Sequence, residues 1–295
     1  MKKYVITGSV GHISKPVIKN LVREGKEVSV ITSNPDKVEE INLLGAKALV
    51  GSVFEQSFLT SAFRGAEVVY AMIPPIWQTD NWRASQREAA KIYTEAIRSN
   101  GIRHAVVLSS AGAHLTEGCG PVSGIYEFEQ MLNKVEGLNV KYVRPAYFYY
   151  NFFNMIAMIK QAGIMGGNFG GGDFQLALIH TDDIAKVITE ELLNLKFTGN
   201  SVRHIYGDKC TTDTLVKVLG DAIGKQIPWI AFTDEQQLHG MLAAGLSPTH
   251  GHGYVEMGTA LRNGRMQEEL LKNDPLPNAI KLVDFAKEFK SAFSA

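Results

Sequence analysis

The sequence predicts an α/β fold in which helices cover both faces of a doubly wound parallel sheet. Short apolar, β-branched segments alternate with helical patterns as far as Pro145. Those segments are apolar at nearly every position, which is typical of buried parallel strands. The apolar share of 45% supports a large core, and 295 residues suit one large or two interleaved domains. We therefore place one domain at residues 1–150 and a smaller α/β region, partly interleaved with it, at residues 151–295.

Six strands are predicted in the first domain, and each is separated from the next by a turn or a helix. The predicted strands span residues 3–7, 27–32, 48–50, 66–73, 105–108 and 140–143. Helical patterns span residues 11–24, a short stretch from 34, residues 54–63, a long segment ending near 100, and residues 123–135. In such a sheet ligands bind at the carboxyl ends of the strands. The segments 8–13, 32–37, 72–75 and 109–113 should therefore lie near one another.

The second half is less regular. Residues 163–172 hold six glycines, so we expect a loop that is neither helix nor ordinary strand. It is either a mobile cover over the site or a surface connection without a role. Thr181, Asp182 and Asp183 have the chemistry of a helix N-cap, and residues 202–206 suggest a strand. Thr211 should cap a helix ending at Ile223, and the tail from residue 228 is helical and looped.

The turn after the first strand is the most informative motif. It reads Gly8-Ser9-Val10-Gly11-His12-Ile13-Ser14, and a helix begins at once. Gly8 permits a tight turn, Gly11 permits close approach of backbone to a ligand, and Ser14 is small enough for helix–strand packing. The helix N-terminus offers N–H groups and a positive dipole end to an anion. This pattern indicates a dinucleotide site, with a ligand-free β–α turn as the alternative.

Four segments taken in order resemble the NmrA-like family, a branch of the atypical short-chain dehydrogenases/reductases, and within it the quinone-reductase-like bacterial members. The segments are Thr7-Gly8-Ser9-Val10-Gly11-His12-Ile13-Ser14, Thr32-Ser33-Asn34-Pro35-Asp36-Lys37, Arg144-Pro145-Ala146-Tyr147-Phe148-Tyr149-Tyr150-Asn151 and Ile179-His180-Thr181-Asp182-Asp183-Ile184-Ala185. The resemblance implies an NAD(P)-binding Rossmann domain followed by a small substrate domain.

The expected cofactor is NADP, with NAD as the alternative. The end of the second strand lacks the acidic residue that usually binds a free ribose 2′-OH. Ser33, Asn34 and Lys37 offer hydrogen bonds and one positive charge to a 2′-phosphate, although Ser33 replaces the family's arginine and Lys37 has a solvated role as its alternative. The predicted cofactor-binding residues are Gly8, Ser9, Val10, Gly11, His12, Ile13, Thr32, Ser33, Asn34, Lys37, Met72, Ile73, Pro74 and Ser109.

The catalytic pattern departs from that of ordinary short-chain dehydrogenases, which use Tyr-x-x-x-Lys. Ser109 or Ser110 occupies the place of the substrate-orienting serine, and Tyr126 begins a helix at a suitable distance. Gln130 stands where the lysine should be, so Tyr126 is expected to donate a hydrogen bond rather than act as a base. Alcohol oxidation and sugar epimerisation are therefore disfavoured, whereas hydride transfer to a quinone depends more on orientation.

Two functions follow from these residues. The first is an NAD(P)H-dependent oxidoreductase acting on a small acceptor such as a quinone. The alternative is a non-catalytic NAD(P)-binding redox sensor of the NmrA type, which the missing lysine favours. For the enzyme, the expected acceptor-binding residues are His114, Tyr147, Phe148 and Tyr150, although a core role for this aromatic run is the competing interpretation.

Composition narrows the partners. Thirty basic residues balance thirty acidic ones, which disfavours direct binding to nucleic acid or to an anionic membrane. Cys119 and Cys210 are the two cysteines and form no Cys-x-x-Cys, and His250 and His252 lack a third metal ligand, so we expect no disulfide and no metal. The first residues form a strand rather than a secretory leader, so we expect a cytoplasmic protein, with a homodimer or a protein partner left open.

Overall fold

The computed structural model describes residues 2–77 and 79–295. The chain forms two compact units, and each is assembled from three separate segments of the chain. The first unit consists of Met1–Ser110, Gly124–Arg144 and Ile184–Arg203. The second unit consists of Ala111–Ser123, Pro145–Asp183 and His204–Ala295.

Helices and strands alternate as far as β6. The strands are β1 (Lys3–Ile6), β2 (Glu27–Thr32), β3 (Lys47–Val50), β4 (Val68–Ala71), β5 (His104–Leu108), β6 (Asn139–Pro145), β7 (Tyr147–Phe148), β8 (Met165–Gly167), β9 (Gln175–Ile179), β10 (Asn200–Ile205), β11 (Asp208–Thr211) and β12 (Trp229–Ala231). The α-helices are α1 (Ser14–Arg23), α2 (Val38–Leu43), α3 (Gln56–Ala62), α4 (Trp82–Ser99), α5 (Pro121–Leu132), α6 (Ile156–Ala162), α7 (Thr181–Asn194), α8 (Thr212–Ile223), α9 (Asp234–Ala243), α10 (Pro248–Arg262), α11 (Glu268–Asn273) and α12 (Leu282–Ser294). Short 3₁₀ turns span Pro35–Lys37, Tyr149–Met155 and Arg265–Gln267.

The main sheet has seven strands in the order β10-β6-β5-β4-β1-β2-β3. Neighbouring strands are parallel all the way across the sheet from β6 to β3. In the centre, Ile6 of β1 lies opposite Val30 of β2 and Tyr70 of β4. The strand order reverses direction between β1 and β4, and such a switch point is where open α/β sheets bind ligands. The predicted doubly wound parallel sheet is confirmed.

Helices α3, α4 and α5 bury one face of this sheet. Tyr93 of α4 is fully buried and packs against Phe128 of α5, with their ring centroids 5.5 Å apart. Strand side chains such as Val69 and Val107 complete the same apolar cluster. On α1, Val17 is also fully buried, as its helical spacing predicts. The core therefore fixes the strand ends from which the candidate site is built.

The second unit corrects the expectation for the glycine-rich segment 163–172. Residues 165–167 form strand β8, which pairs in parallel with β12. A Cβ on Gly166 would lie 2.5 Å from the backbone oxygen of Ile230, so the close approach of these strands requires glycine. Gly166 and Gly167 lie in this strand, whereas Gly163, Gly170, Gly171 and Gly172 have positive φ and form the turns on either side of it.

Asn168 anchors the end of this segment. Its Nδ2 donates to Asp234 Oδ1 at 2.9 Å and to the Val255 carbonyl at 2.8 Å, and its own carbonyl accepts from Arg262 at 2.7 Å. Arg262 also forms an ion pair with Asp234. The segment is thus tied to α9 and α10 by side chains distant in sequence.

The expected N-cap at 181–183 is also corrected, whereas the cap at Thr211 is confirmed. Helix α7 already includes Thr181, and His180 Nδ1 accepts the Asp182 N–H at 3.1 Å. Asp183 instead accepts the N–H of Ile280 at 2.9 Å. Thr211 accepts the Thr214 N–H at 3.1 Å and caps α8 as predicted. Across residues 2–77 and 79–295, no helix has the length and apolar character needed to span a bilayer.

Candidate functional site

The turn after β1 has the backbone conformation that its glycine predicts. Gly8 has φ of 87°, and Ser9 follows with φ of 52°, a left-handed conformation that side chains rarely adopt. A Cβ on Gly8 would lie 2.6 Å from Ser14 Oγ, and that hydroxyl donates to the Thr7 carbonyl at 3.1 Å. Gly8 and Ser14 therefore fit each other, and together they set α1 tightly against β1.

Hydrogen bonds join this turn to the ends of the two neighbouring strands. Ser9 Oγ donates to Thr32 Oγ1 at 2.9 Å, which connects the turn to the end of β2. Thr7 Oγ1 accepts the N–H of Met72 at 3.0 Å, which connects it to the end of β4. Because Met72 bonds to a side chain, β4 ends at Ala71, two residues earlier than the sequence predicts. Three of the expected ligand-binding segments are thus brought together.

The N-terminus of α1 is suited to an anion. Its N-cap residue, Ile13, makes no side-chain capping hydrogen bond, and its first turn holds no acidic residue. The first N–H groups of a helix lack partners within the helix, and the dipole makes this end positive. A Cβ on Gly11 would lie 3.2 Å from the Gly8 carbonyl, so a larger residue there would crowd the turn.

A charged cluster lies beyond the end of β2. Glu40 accepts from Lys15 at 2.7 Å through Oε1 and from Lys37 at 3.1 Å through Oε2. The hydrogen bond from Lys15, followed by that from Lys37, lowers the pKa of the Glu40 carboxyl. Ser33 is exposed, and the Asn34 side chain caps the following turn by accepting the Asp36 N–H at 2.9 Å. Lys37, expected either to offer a positive charge to a 2′-phosphate or to be solvated, therefore forms an ion pair with a carboxylate.

A second charged cluster lies at the end of β5 and is buried. The Glu129 carboxylate, with 2% of its side chain exposed, accepts from Arg144 through both oxygens, at 3.0 Å and 2.5 Å. Ser109 Oγ donates to the same carboxylate at 2.5 Å. Tyr142 adds a hydrogen bond to the Glu129 backbone carbonyl at 3.0 Å. The cluster fixes β5, β6 and α5 to one another.

This pairing limits what Ser109 can offer a ligand. A carboxylate in an ion pair accepts hydrogen bonds and has none to give, so the serine proton points to Glu129. Ser109 Oγ then presents lone pairs rather than a proton. Tyr126 lies one helical turn before Glu129 on α5, and side chains three apart share a helix face. Tyr126 is partly exposed, and Ser110 is half-buried.

The second unit holds the residues expected to bind an acceptor. The Tyr147 ring packs against Phe152 and Phe169, with centroids 5.6 Å and 5.3 Å away, and burial raises its pKa. Phe148 pairs with Ile179 in the sheet, and Tyr150 is exposed. His114 is half-buried, with Nδ1 3.7 Å from Glu269 Oε2. Tyr149, from the same aromatic run, is fully buried.

Both cysteines are free, buried and chemically quiet. They lie in the second unit, and burial raises the pKa of each thiol to about 12. The thiolate is the reactive form, so neither Cys119 nor Cys210 is poised as a nucleophile.

Sequence reasoning misses the two carboxylates that organise this edge of the sheet. In the sequence, Glu129 has the pattern of a packing or surface residue, and nothing distinguishes Glu40 from other helix glutamates. An arginine inside a strand that is otherwise buried, as Arg144 is, signals a buried acidic partner. For Glu40 the signal is weaker, because its partner Lys15 is twenty-five residues away.

Comparisons with known proteins agree with this geometry. A family described as NAD(P)H-binding matches residues 8–194. An NAD(P)H azoreductase of Xenophilus azovorans is 23% identical over 243 residues, covering 82% of this chain and 81% of the relative. An NADPH-dependent quinone oxidoreductase of Escherichia coli, solved with NADPH, has 18% identity and a TM-score of 0.76, covering 97% and 99% of the two chains. A nucleoside-diphosphate-sugar epimerase of Staphylococcus aureus has 17% identity and a TM-score of 0.77, covering 97% and 100%.

The chain belongs to the NAD(P)H-binding family, because the matched region covers more than half of its length. The predicted NAD(P) cofactor is thereby confirmed at the level of the family. At the identities found, the two solved structures establish a shared fold, and that fold serves both a reductase and an epimerase. The turn at Gly8, the uncapped α1 and the end of β2 fit the cofactor's pyrophosphate and ribose.

Proposed function

We propose that this chain is an NADPH-dependent reductase that transfers hydride to a small electrophilic acceptor such as a quinone. The observation that carries the proposal is the arrangement around Ser109. Its proton is held by Glu129, and Gln130 stands four residues after Tyr126 where a lysine would otherwise lie. Oxidation of an alcohol or epimerisation of a sugar needs a strong base at this place, and these residues do not form one.

Reduction of a quinone, in contrast, needs no strong base from the protein. When bound, NADPH would supply a hydride, that is two electrons and one proton. Tyr126 donates a hydrogen bond to the acceptor oxygen as negative charge develops there. A solvent proton completes the reaction, so that quinone, NADPH and H⁺ give hydroquinone and NADP⁺. Ser109 contributes here through its hydrogen bond to Glu129, which fixes the end of β5 against α5.

The preference for NADPH rests on the end of β2. No acidic residue stands at 32–34, so no carboxylate there competes with a 2′-phosphate. Ser33 and Asn34 supply polar groups to such a phosphate, and Lys37, although bonded to Glu40, belongs to a cluster with Lys15 that keeps one net positive charge. Among related proteins, the azoreductase is named for NAD(P)H, and the quinone oxidoreductase was solved with NADPH.

The test has two stages. Titration of the purified chain with NADPH and NADH gives the two dissociation constants. Loss of nicotinamide absorbance is then followed with a panel of benzoquinones, naphthoquinones and azo dyes. The proposal predicts tighter binding of NADPH and acceptor-dependent oxidation by at least one class. Binding without oxidation across the panel would instead favour a non-catalytic sensor, and absence of binding would refute both functions.

A further inference from the structure

The cluster Lys15–Glu40–Lys37 lies where the adenosine end of a dinucleotide is recognised. Lys37 ends the 3₁₀ turn Pro35–Lys37 that follows β2, and the end of the second strand faces the ribose in this fold. Lys15 lies in the first turn of α1, where its backbone N–H bonds to Gly11 of the glycine turn. Two segments at the carboxyl edge of the sheet thus each contribute a lysine that bonds to Glu40 on α2.

The two lysines of the cluster bond to different oxygens of the Glu40 carboxylate. Each oxygen of Glu40 accepts from one ammonium group, at 2.7 Å for Lys15 and 3.1 Å for Lys37. All three side chains are between about a third and a half exposed, so solvent and a ligand can reach them. With the carboxylate in place, the two lysines present one net positive charge instead of two.

NADPH and NADH differ in the group that they carry at the ribose 2′ position, which would lie near this cluster. NADPH carries a phosphate monoester on the ribose, close to a dianion at neutral pH, whereas NADH carries a neutral hydroxyl there. A dianion interacts with the net charge of the cluster, and a hydroxyl scarcely does. A carboxylate between two lysines therefore acts selectively on NADPH.

We propose that Glu40 is a specificity-determining residue that limits the preference of this chain for NADPH over NADH. It holds Lys15 and Lys37 through its two oxygens and cancels charge that the 2′-phosphate would otherwise meet. Loss of this carboxylate makes the chain stricter for NADPH. The inference rests on the proposed function only in that both dinucleotides must bind.

The experiment compares the wild type with Glu40→Gln by calorimetric titration. The ligands are NADPH, NADH and the matched fragments adenosine 2′,5′-bisphosphate and adenosine 5′-monophosphate, which differ by the 2′-phosphate alone. We expect Glu40→Gln to bind NADPH and the bisphosphate about two- to fivefold more tightly, because a like charge is removed from an exposed, partly screened position. Affinity for NADH and the monophosphate should stay within about twofold.

Two further variants make the result specific. Lys37→Met should weaken NADPH and the bisphosphate while leaving NADH unchanged. The control variant Glu95→Gln removes a carboxylate from the last turns of α4. In the wild type this carboxylate accepts hydrogen bonds from Arg98 and Ser99. Helix α4 runs from the carboxyl end of β4 towards the amino end of β5, so Glu95 lies at the opposite edge of the sheet. Its nucleotide affinities should match those of the wild type.

The outcomes separate the two proposals. If both dinucleotides bind and Glu40→Gln leaves the NADPH-to-NADH ratio unchanged, the role of Glu40 is refuted and the proposed function stands. The role of Glu40 is likewise refuted if Glu95→Gln changes the ratio as much as Glu40→Gln does. If neither dinucleotide binds the wild type, both proposals fail together. Denaturation curves for each variant confirm that folded protein is being titrated.

Discussion

Glu129 and Glu40 each join two groups at the same edge of the sheet, yet their surroundings differ. Glu129 has 2% of its side chain exposed and forms an ion pair with Arg144, while Glu40 is 32% exposed and pairs with two lysines. Burial makes a charge pair costly to break, because the remaining charge has no water to replace its partner. An exposed pair is screened by solvent and adds little to stability.

This difference in burial gives the two charge clusters different roles. The Glu129 cluster sets the position of Ser109 and the strand ends, and a ligand cannot compete for it. The Glu40 cluster can rearrange when an anion arrives, because both lysines are on the surface. One edge of the sheet thus holds a buried, fixed charge cluster and, beyond β2, an exposed cluster that we propose responds to the cofactor.

Breaking the buried pair should have the largest effect. Arg144→Met leaves the Glu129 carboxylate without its counter-charge, and we expect the free energy of unfolding to fall by about 3–5 kcal/mol. Urea denaturation followed by far-UV circular dichroism measures this change. Replacing both residues with Met should recover about half of the loss or more, because a buried pair often contributes little net stability.

The matched control is Lys37→Met, which breaks an ion pair of the exposed cluster. Its denaturation midpoint should be the same as that of the wild type, because water replaces the lost partner. If Lys37→Met destabilised the chain as much as Arg144→Met, burial would not be what distinguishes the two clusters.

A smaller effect should follow from Gly8→Ala. Alanine at φ of 87° carries backbone strain of about 1–3 kcal/mol, and its Cβ would crowd Ser14 Oγ at 2.6 Å. Because the turn and the start of α1 would move, we expect NADPH binding to weaken by about tenfold or more, equivalent to about 1.4 kcal/mol. Calorimetric titration gives the dissociation constant.

Gly25→Ala is the control for backbone strain alone. Gly25 has φ of 68° just after α1, and a Cβ there would meet nothing within 4 Å. This variant should lose some stability and keep its affinity for NADPH. A loss of affinity equal to that of Gly8→Ala would show that the turn at Gly8 has no special part in binding.

The sequence predicted the first unit well because its information is local. Apolar runs mark β1, β2 and β5 within a residue or so of their bounds, and the glycine turn predicts the conformation of Gly8. The second unit was harder. Strand β8 is built from Met165, Gly166 and Gly167, and the reason for Gly166 is the approach of β12, more than sixty residues later.

The candidate site shows the same division. The sequence identified the loops at the ends of β1, β2 and β4 because order along the chain and strand topology determine where they meet. It did not predict that the proton of Ser109 would be held by Glu129, because that bond depends on how α5 packs beside β5 and β6. Local sequence identifies the candidate groups, whereas tertiary packing decides which of them can donate.

The most direct test of the proposed reduction is a single-turnover measurement with NADPH carrying deuterium at both C4 positions and a reactive quinone in excess. A single turnover isolates hydride transfer from product release. We predict slower oxidation of deuterated than of ordinary NADPH, and a further slowing of about 10- to 100-fold in Tyr126→Phe with an unchanged NADPH dissociation constant. Oxidation no faster than without protein, or a Tyr126→Phe variant as fast as the wild type, would contradict the proposed reduction.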